Sequence, residues 1–255
     1  DSDAVHEVLD QEFGGNRIRF GRFTGKTPIA GHPIKASGKA NTLKRTALGV
    51  AFREAQKMHA GARERIETAR KAVKSAQDAR AAADASDDQA ALEKAVAGAK
   101  EELSAALETA SFIPRIDPNA AEQFHRWEMQ RDPPDILITN VSMLSIMLMR
   151  QRADFPNDSA DSDIFEQTKE WLRQDTENHF FQLVVDELHL YRGAAGTEVG
   201  YFVRLLLKRI GLSPTSPQLR ILASSASLSE GSDHTFDYLG GFFGFTQDEA
   251  RENFH

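Results

Sequence analysis

Alternating apolar strand runs and amphipathic helical stretches predict an α/β fold with a parallel sheet flanked by helices, into which an antiparallel helical hairpin is inserted. Three observations predict it. The segments Asp135–Asn140, Phe181–Val185 and Leu219–Ser224 are short β-former runs separated by helical patterns. Residues 41–112 instead repeat small and apolar residues at helical spacing. The chain has 255 residues, 40% hydrophobic and 27% charged, enough for a sizeable core. Residues 1–40 and 113–255 are thus expected to form the α/β body, with 41–112 as the insertion.

The first strand is expected over Arg17–Phe23. After it, Gly21-Arg22-Phe23-Thr24-Gly25-Lys26-Thr27 looks like a phosphate-binding loop, but three residues separate the glycines where that pattern needs four. Pro28 follows, and no helix begins there whose amino end could meet a phosphate. From Arg17 through Arg53 there are nine basic residues and no Asp or Glu, a pattern that suits either a phosphate-contacting surface or a solvated loop punctuated by Gly and Pro.

In the insertion, Ala62, Ile66, Ala69, Val73 and Ala76 step by 4, 3, 4 and 3, and Leu92, Val96, Ala99, Leu103 and Ala106 continue the pattern. The break at 85–89 predicts a second helix start with Ser86 as N-cap and Gln89 completing a capping box. Residues 41–80 carry net +6 and residues 84–108 net −5, which favours pairing of the two helices. The hairpin reads as a self-paired projection or as an arm facing DNA or a partner protein.

Pro133-Pro134 introduces the Asp135–Asn140 strand, whose polar end leads into an apolar helix over Met143–Met149. Residues 151–162 read as a surface loop and Ile164–Gln174 as a short helix. The run Phe181–Val185 then ends in Asp186 and Glu187, with His189 two residues on. A parallel strand's carboxyl end is where open α/β sheets place ligands. Alternation there lets one carboxylate hold hydrated Mg²⁺ while its neighbour addresses a water beside a phosphate. The helix after Gly196 carries Val199, Phe202, Val203, Leu206 and Ile210 on one face, leaves Arg204, Lys208 and Arg209 for solvent or phosphate, and is expected to end at Pro214 and Pro217. The last strand runs into Ser225-Ala226-Ser227.

Blander readings stand beside these. An Asp-Glu pair after an apolar strand can be a solvated strand end, Ser225 and Ser227 can be turn caps, and Asp186, Glu187 and His189 can ligate zinc. No helical His-Glu-x-x-His pattern supports zinc.

Taken with its ordered neighbours, Asp186-Glu187-Leu188-His189 resembles the acidic box in the first motor domain of superfamily 2 helicases of the DEAD/DEAH type. Tyr191-Arg192-Gly193 and Gly196-Thr197-Glu198 resemble the segment after this box in a bacterial branch that includes repair helicases and the large helicases of anti-phage systems such as DISARM. The resemblance spans Arg17–Phe23 and Pro134–Gly244. It implies a partial RecA-like sheet and an ATP-dependent DNA helicase or translocase. It further implies Asp186 as the Mg²⁺ carboxylate acting through water, Glu187 as the residue that orients and deprotonates water, and His189 with Ser225 and Ser227 as a relay coupling ATP to DNA. Thr139 and Asn140, which depart from the commoner Thr-Pro wording, would hold the DNA backbone, with Arg22 and Lys26 as further contacts. The implied partners are ATP, Mg²⁺, DNA that is single-stranded or duplex with a single-stranded tail, and a defence-complex protein. The family's P-loop is expected upstream and its second motor domain downstream, so these residues alone are not expected to hydrolyse ATP. A non-catalytic scaffold that binds DNA or a partner through the hairpin is the alternative.

The absence of cysteine excludes disulfides and Cys-ligated metal within these residues and suits a cytoplasmic site. No apolar run approaches the roughly 20 residues of a membrane span. The net charge of −7 averages over the one-sided basic stretches.

Overall fold

The computed structural model describes residues 18–35, 37–83, 88–116, 121–150, 163–226, 228 and 232–254. They fall into a helical unit within 42–124 and an α/β unit formed by 18–41 and 125 onward.

In the helical unit, α1 (Thr42–Ala81) and α2 (Gln89–Ser111) fold back on each other. Arg80 meets Glu93 at 2.8 Å near the connection, and His59 Nε2 lies 2.8 Å from the Pro114 carbonyl beyond the far end of α2, so the pair is antiparallel. All ten seam positions read from the sequence are buried or half-buried, while most of their neighbours are exposed. Alanines at the seam let the backbones approach closely, at the cost of small buried area per residue. Toward the start of α1, Ala55 is also buried, and the Phe52 ring packs on Phe124 with centroids 4.9 Å apart. The second helix starts later than the sequence suggests: Asp88 is the N-cap, its side chain accepting from the Ala91 amide at 3.1 Å. Ser86 lies outside the described residues.

Among its described residues the α/β unit has two parallel strand pairs. Strand β1 (Phe20–Phe23) pairs with β2 (Ile136–Thr139), Phe23 opposite Thr139. Strand β3 (Phe181–Val185) pairs with β4 (Leu219–Ala223), Val185 opposite Ala223. Helix α3 (Arg126–Arg131) ties down the turn after β1. Arg126 donates to the Thr24 carbonyl at 2.8 Å with its guanidinium over the Phe23 ring, and Trp127 Nε1 donates to the Gly31 carbonyl at 2.7 Å. Helices α4 (Val141–Met149), α5 (Asp163–Gln174), α6 (Gly193–Arg209), α7 (Asp233–Phe243) and α8 (Gln247–Asn253) belong to the same unit. One core joins them, with Phe23, Met147, Leu172, Leu188, Leu207 and Phe243 at its centre.

Helix α6 begins at Gly193, three residues ahead of Gly196; of the expected stripe Val203, Leu206 and Ile210 are buried and Val199 and Phe202 half-buried, and Leu207 joins them in the core. It ends well before the prolines. Gly211, at φ +80°, donates to the Lys208 carbonyl at 3.2 Å, and Leu212 donates to the Leu207 carbonyl at 2.8 Å. This is the paired closure that a left-handed glycine permits. Arg204 and Arg209 do not point to solvent as expected. Arg204 stacks on Tyr201 and donates to the Gly241 carbonyl, and Arg209 donates to the Leu148 carbonyl at 2.9 Å.

Two expectations follow. A Cβ on Gly200 would meet the Phe242 carbonyl oxygen at 2.9 Å, so Gly200→Ala must push α6 from α7 and should cost about 1–3 kcal/mol in urea unfolding. Buried His125 caps α3 by accepting the Glu128 amide on Nδ1 at 3.3 Å. Burial holds its pKa below the ordinary 6.5, against the opposing pull of the Glu128 carboxylate. A depressed folded pKa gives stability that is full above 6.5 and lost as pH falls below it. Thermal melts between pH 7.5 and 5 should show that loss in the wild type, and His125→Asn, which keeps a cap without a titrating ring, should flatten it.

Candidate active site

The candidate site is built where β3 and β4 end together. Because side chains alternate along a strand, Gln182, Val184 and Asp186 share the exposed face of β3 while Phe181, Leu183 and Val185 turn to the core. Arg220, Leu222 and Ser224 share the same face of the β4 segment. Parallel register therefore brings Ser224 beside Asp186. The Ser224 hydroxyl donates to Asp186 Oδ1 at 2.5 Å, and the Glu187 amide reaches the Ser224 hydroxyl oxygen at 2.9 Å and Asp186 Oδ1 at 3.0 Å. The backbone closes the same junction, with Ser224 N–H donating to the Val185 carbonyl at 3.0 Å and Leu188 N–H to the Ser224 carbonyl at 2.8 Å.

The strand stops at Val185 because Glu187 takes a left-handed conformation, φ 52° and ψ 45°, which leads into a 3₁₀ turn over Leu188–Leu190. Leu188 is fully buried beneath this turn, and the Tyr238 hydroxyl donates to the Leu188 and Tyr191 carbonyls at 2.9 and 2.7 Å. The reversal turns the Glu187 side chain out, with 56% of it exposed, and brings Oε2 within 3.2 Å of His189 Nδ1. That same nitrogen lies 3.3 Å from the Ala226 amide. It donates to Glu187 when protonated and accepts from Ala226 when not, so one proton decides which contact His189 makes.

The serine motif is arranged differently from the expectation. Ser224, one residue before it and not singled out in the sequence, makes the contact to the carboxylate strand. The Ser225 hydroxyl is buried with no hydrogen-bond partner among the described residues, and Ser227 lies outside them. The signal that could have found Ser224 was strand alternation: it shares the face of Leu222, as Asp186 shares that of Val184.

At the end of the other strand pair, the Thr139 hydroxyl donates to the Phe23 carbonyl at 2.8 Å, and Asn140 caps α4 by accepting the Met143 amide at 2.9 Å. Thr27 closes the turn after β1, accepting from the Thr24 amide at 2.9 Å and donating to the Arg22 carbonyl. Lys26 is exposed in that turn, and the described residues contain no helix between it and Thr42, so the loop does not feed a helix N-terminus as a phosphate loop does. Arg22 is half-buried on β1. Within the basic run, Arg19 is paired with Asp132, and its amide donates to Asp135 at 2.7 Å; Arg17 lies outside the described residues.

No group of three or more His, Asp or Glu that could hold a metal occurs among the described residues, which leaves the zinc reading without a ligand set. A hydrated Mg²⁺ needs less. It retains several waters and takes one or two carboxylates plus substrate phosphate oxygens. Asp186 fits that need: Oδ1 is fixed by Ser224 and Glu187 N–H, while Oδ2 carries no hydrogen bond among the described residues. No helix among the described residues is long and apolar enough to cross a membrane.

The left-handed Glu187 is strained for a residue with a Cβ. Glu187→Gly should therefore raise the urea-unfolding free energy by about 0.5–1 kcal/mol while removing the carboxylate. Equal or lower stability would show that the Glu187 side-chain contacts outweigh the strain.

No protein-family model matches the chain, and no solved structure matches it. Over 116 residues, 46% of the chain, it is 43% identical to Druantia protein DruE of Escherichia coli, of which this stretch covers 6%. Over 103 residues, 40% of the chain, it is 32% identical to an uncharacterized ATP-dependent helicase of Methanocaldococcus jannaschii, of which the stretch covers 12%. The chain thus spans a small part of the curated relatives it matches, and its similarity is to a Druantia protein and to an ATP-dependent helicase.

Proposed function

We propose that this chain is part of the first motor domain of an ATP-dependent DNA helicase or translocase acting in bacterial anti-phage defence. The observation that carries the reading is the junction at the ends of β3 and β4, where Ser224 fixes Asp186 and the backbone of Glu187 while both carboxylates face outward. The named relatives support it from a separate direction.

Asp186 would hold a hydrated Mg²⁺ by its Oδ2, and the ion would supply charge neutralisation to the phosphates of bound ATP. Glu187, turned away from Asp186 by its backbone reversal, orients a water and takes its proton as the water oxygen attacks the terminal phosphorus. The bridging P–O bond breaks, and ADP leaves with the bridging oxygen. His189 senses the outcome. With Glu187 ionised, a proton on Nδ1 holds the ring to the carboxylate; once Glu187 has taken the water's proton that hold is lost, and when Nδ1 passes its own proton to solvent, leaving the Nε2–H tautomer, it accepts from the Ala226 amide. The nucleotide state thereby reaches the Ser224–Ala226 segment and the Tyr238-bound turn. Thr139 and Asn140, both tied into the backbone at the end of β2, hold the rim where a DNA strand would lie, beside Arg22 and Lys26.

DNA-stimulated ATP hydrolysis by the full-length protein that contains this chain, with Glu187→Gln alongside, tests the proposal. Stimulated turnover should fall by at least 100-fold in the variant while DNA binding is retained. Absence of turnover in the wild type, with DNA or partner binding intact, would replace the motor with a helicase-like scaffold.

A further inference from the structure

The hairpin carries charge that its own folding does not use. Helix α1 has ten Lys and Arg against four Asp and Glu, net +6, whereas α2 has two against four, net −2. If this imbalance served to pair the helices, the α1 cations would flank the seam and meet α2 carboxylates. Arg80 does so, through Glu93. The seam itself is built from small apolar side chains, Ala55, Ala62 and Ala69 against Val96 and its neighbours, and needs no charge to close.

Most of the other cations lie elsewhere. At about 100° per residue, Arg45, Arg53, Lys57, Arg63, Arg70 and Lys74 fall between roughly 80° and 220° around α1 from Ala62, on one side of the helix. All six are exposed, and none makes an ion pair among the described residues. Lys71 shares the arc and pairs with Glu67 at 3.1 Å, an exposed contact of small energetic weight. Glu64, Glu67 and Asp78 lie on the same arc, three carboxylates against seven cations, so the positive excess persists. From Arg53 to Lys74 the stripe runs about 30 Å at 1.5 Å per residue. Duplex DNA presents a charge about every 1.7 Å over the same length. A band of long cationic side chains along one continuous helix matches such a polyanion and carries no base-reading geometry.

We infer that the exposed face of α1 binds the phosphate backbone of duplex DNA without regard to sequence, as an arm separate from the strand-end site. This assignment does not rest on ATP hydrolysis, since the contact is electrostatic and requires no nucleotide.

The test is fluorescence anisotropy of the full-length protein on a mixed-sequence 30-base-pair duplex, without nucleotide, across 50–200 mM KCl. Combining Arg63→Gln, Arg70→Gln and Lys74→Gln should lower the slope of log affinity against log salt by about 2.7, roughly 0.9 for each lost phosphate contact. Affinity at 50 mM salt should fall at least 10-fold, with helix content by circular dichroism unchanged. The charge-conserving variant Arg63→Lys with Arg70→Lys should keep the wild-type slope, which a loss of folding would not permit. A Gln variant with the wild-type slope, or a wild-type protein that does not bind the duplex, overturns the assignment; the first outcome directs the search for the arm's partner to proteins. Glu187→Gln should leave the slope unaltered, so failure of the motor reading and failure of the arm are separate results.

Discussion

The parallel pairing of β3 with β4 is the constraint on which the α/β unit and its site depend. Register sets Val185 beside Ala223, and one step further the chain places Ser224 against Asp186. Below this junction the inward residues of both strands join Leu188, Leu207 and Phe243 in one core. Above it the polar ends emerge together. A one-residue slip would turn Asp186 toward the core and Val185 out of it, exchanging the faces of the entire strand. The apolar packing that stabilises the sheet therefore also decides which carboxylate faces solvent.

Backbone conformation does the rest at this junction. Two adjacent residues on a continuing strand would point to opposite faces, and Glu187 would be carried inward. Its left-handed geometry ends the strand and turns the side chain outward, and the Ser224 hydroxyl and Asp186 carboxylate meet its amide. Local strain is held in place by Leu188 packed beneath and by Tyr238 bonding the turn's carbonyls. A hydroxyl on one strand, a buried leucine and a tyrosine from α7 thus act on the direction of one carboxylate.

The helical unit follows different physics. Its pairing comes from shape, with alanines repeating along α1 and larger aliphatic residues along α2, and it leaves charge largely outside the seam. Structural and electrostatic information are consequently separable in the hairpin: side chains facing α2 determine that it forms, and those facing away determine what it can meet. In the strand-end site the two are inseparable, because the groups that carry charge also terminate the strand.

Much of this was legible in the residues. The period of the alanine repeat located the seam of the hairpin, and apolar runs located β2, β3 and β4, because burial imposes spacing that tertiary structure does not alter. Adjacent Asp186 and Glu187 after a β-former run marked the candidate site for the same reason. What the sequence could not settle was which atoms meet across strands. Ser224, Ser225 and Ser227 are chemically alike, and only register selects Ser224 as the partner of Asp186. Arg204 and Arg209 looked like solvent or phosphate ligands, but helix packing brings carbonyls of Gly241 and Leu148 within their reach. The end of α6 was set by Gly211 and a pair of backbone hydrogen bonds ahead of the prolines. Periodicity reports which side of an element faces the core; contacts between residues far apart in the chain exist only once the elements have docked.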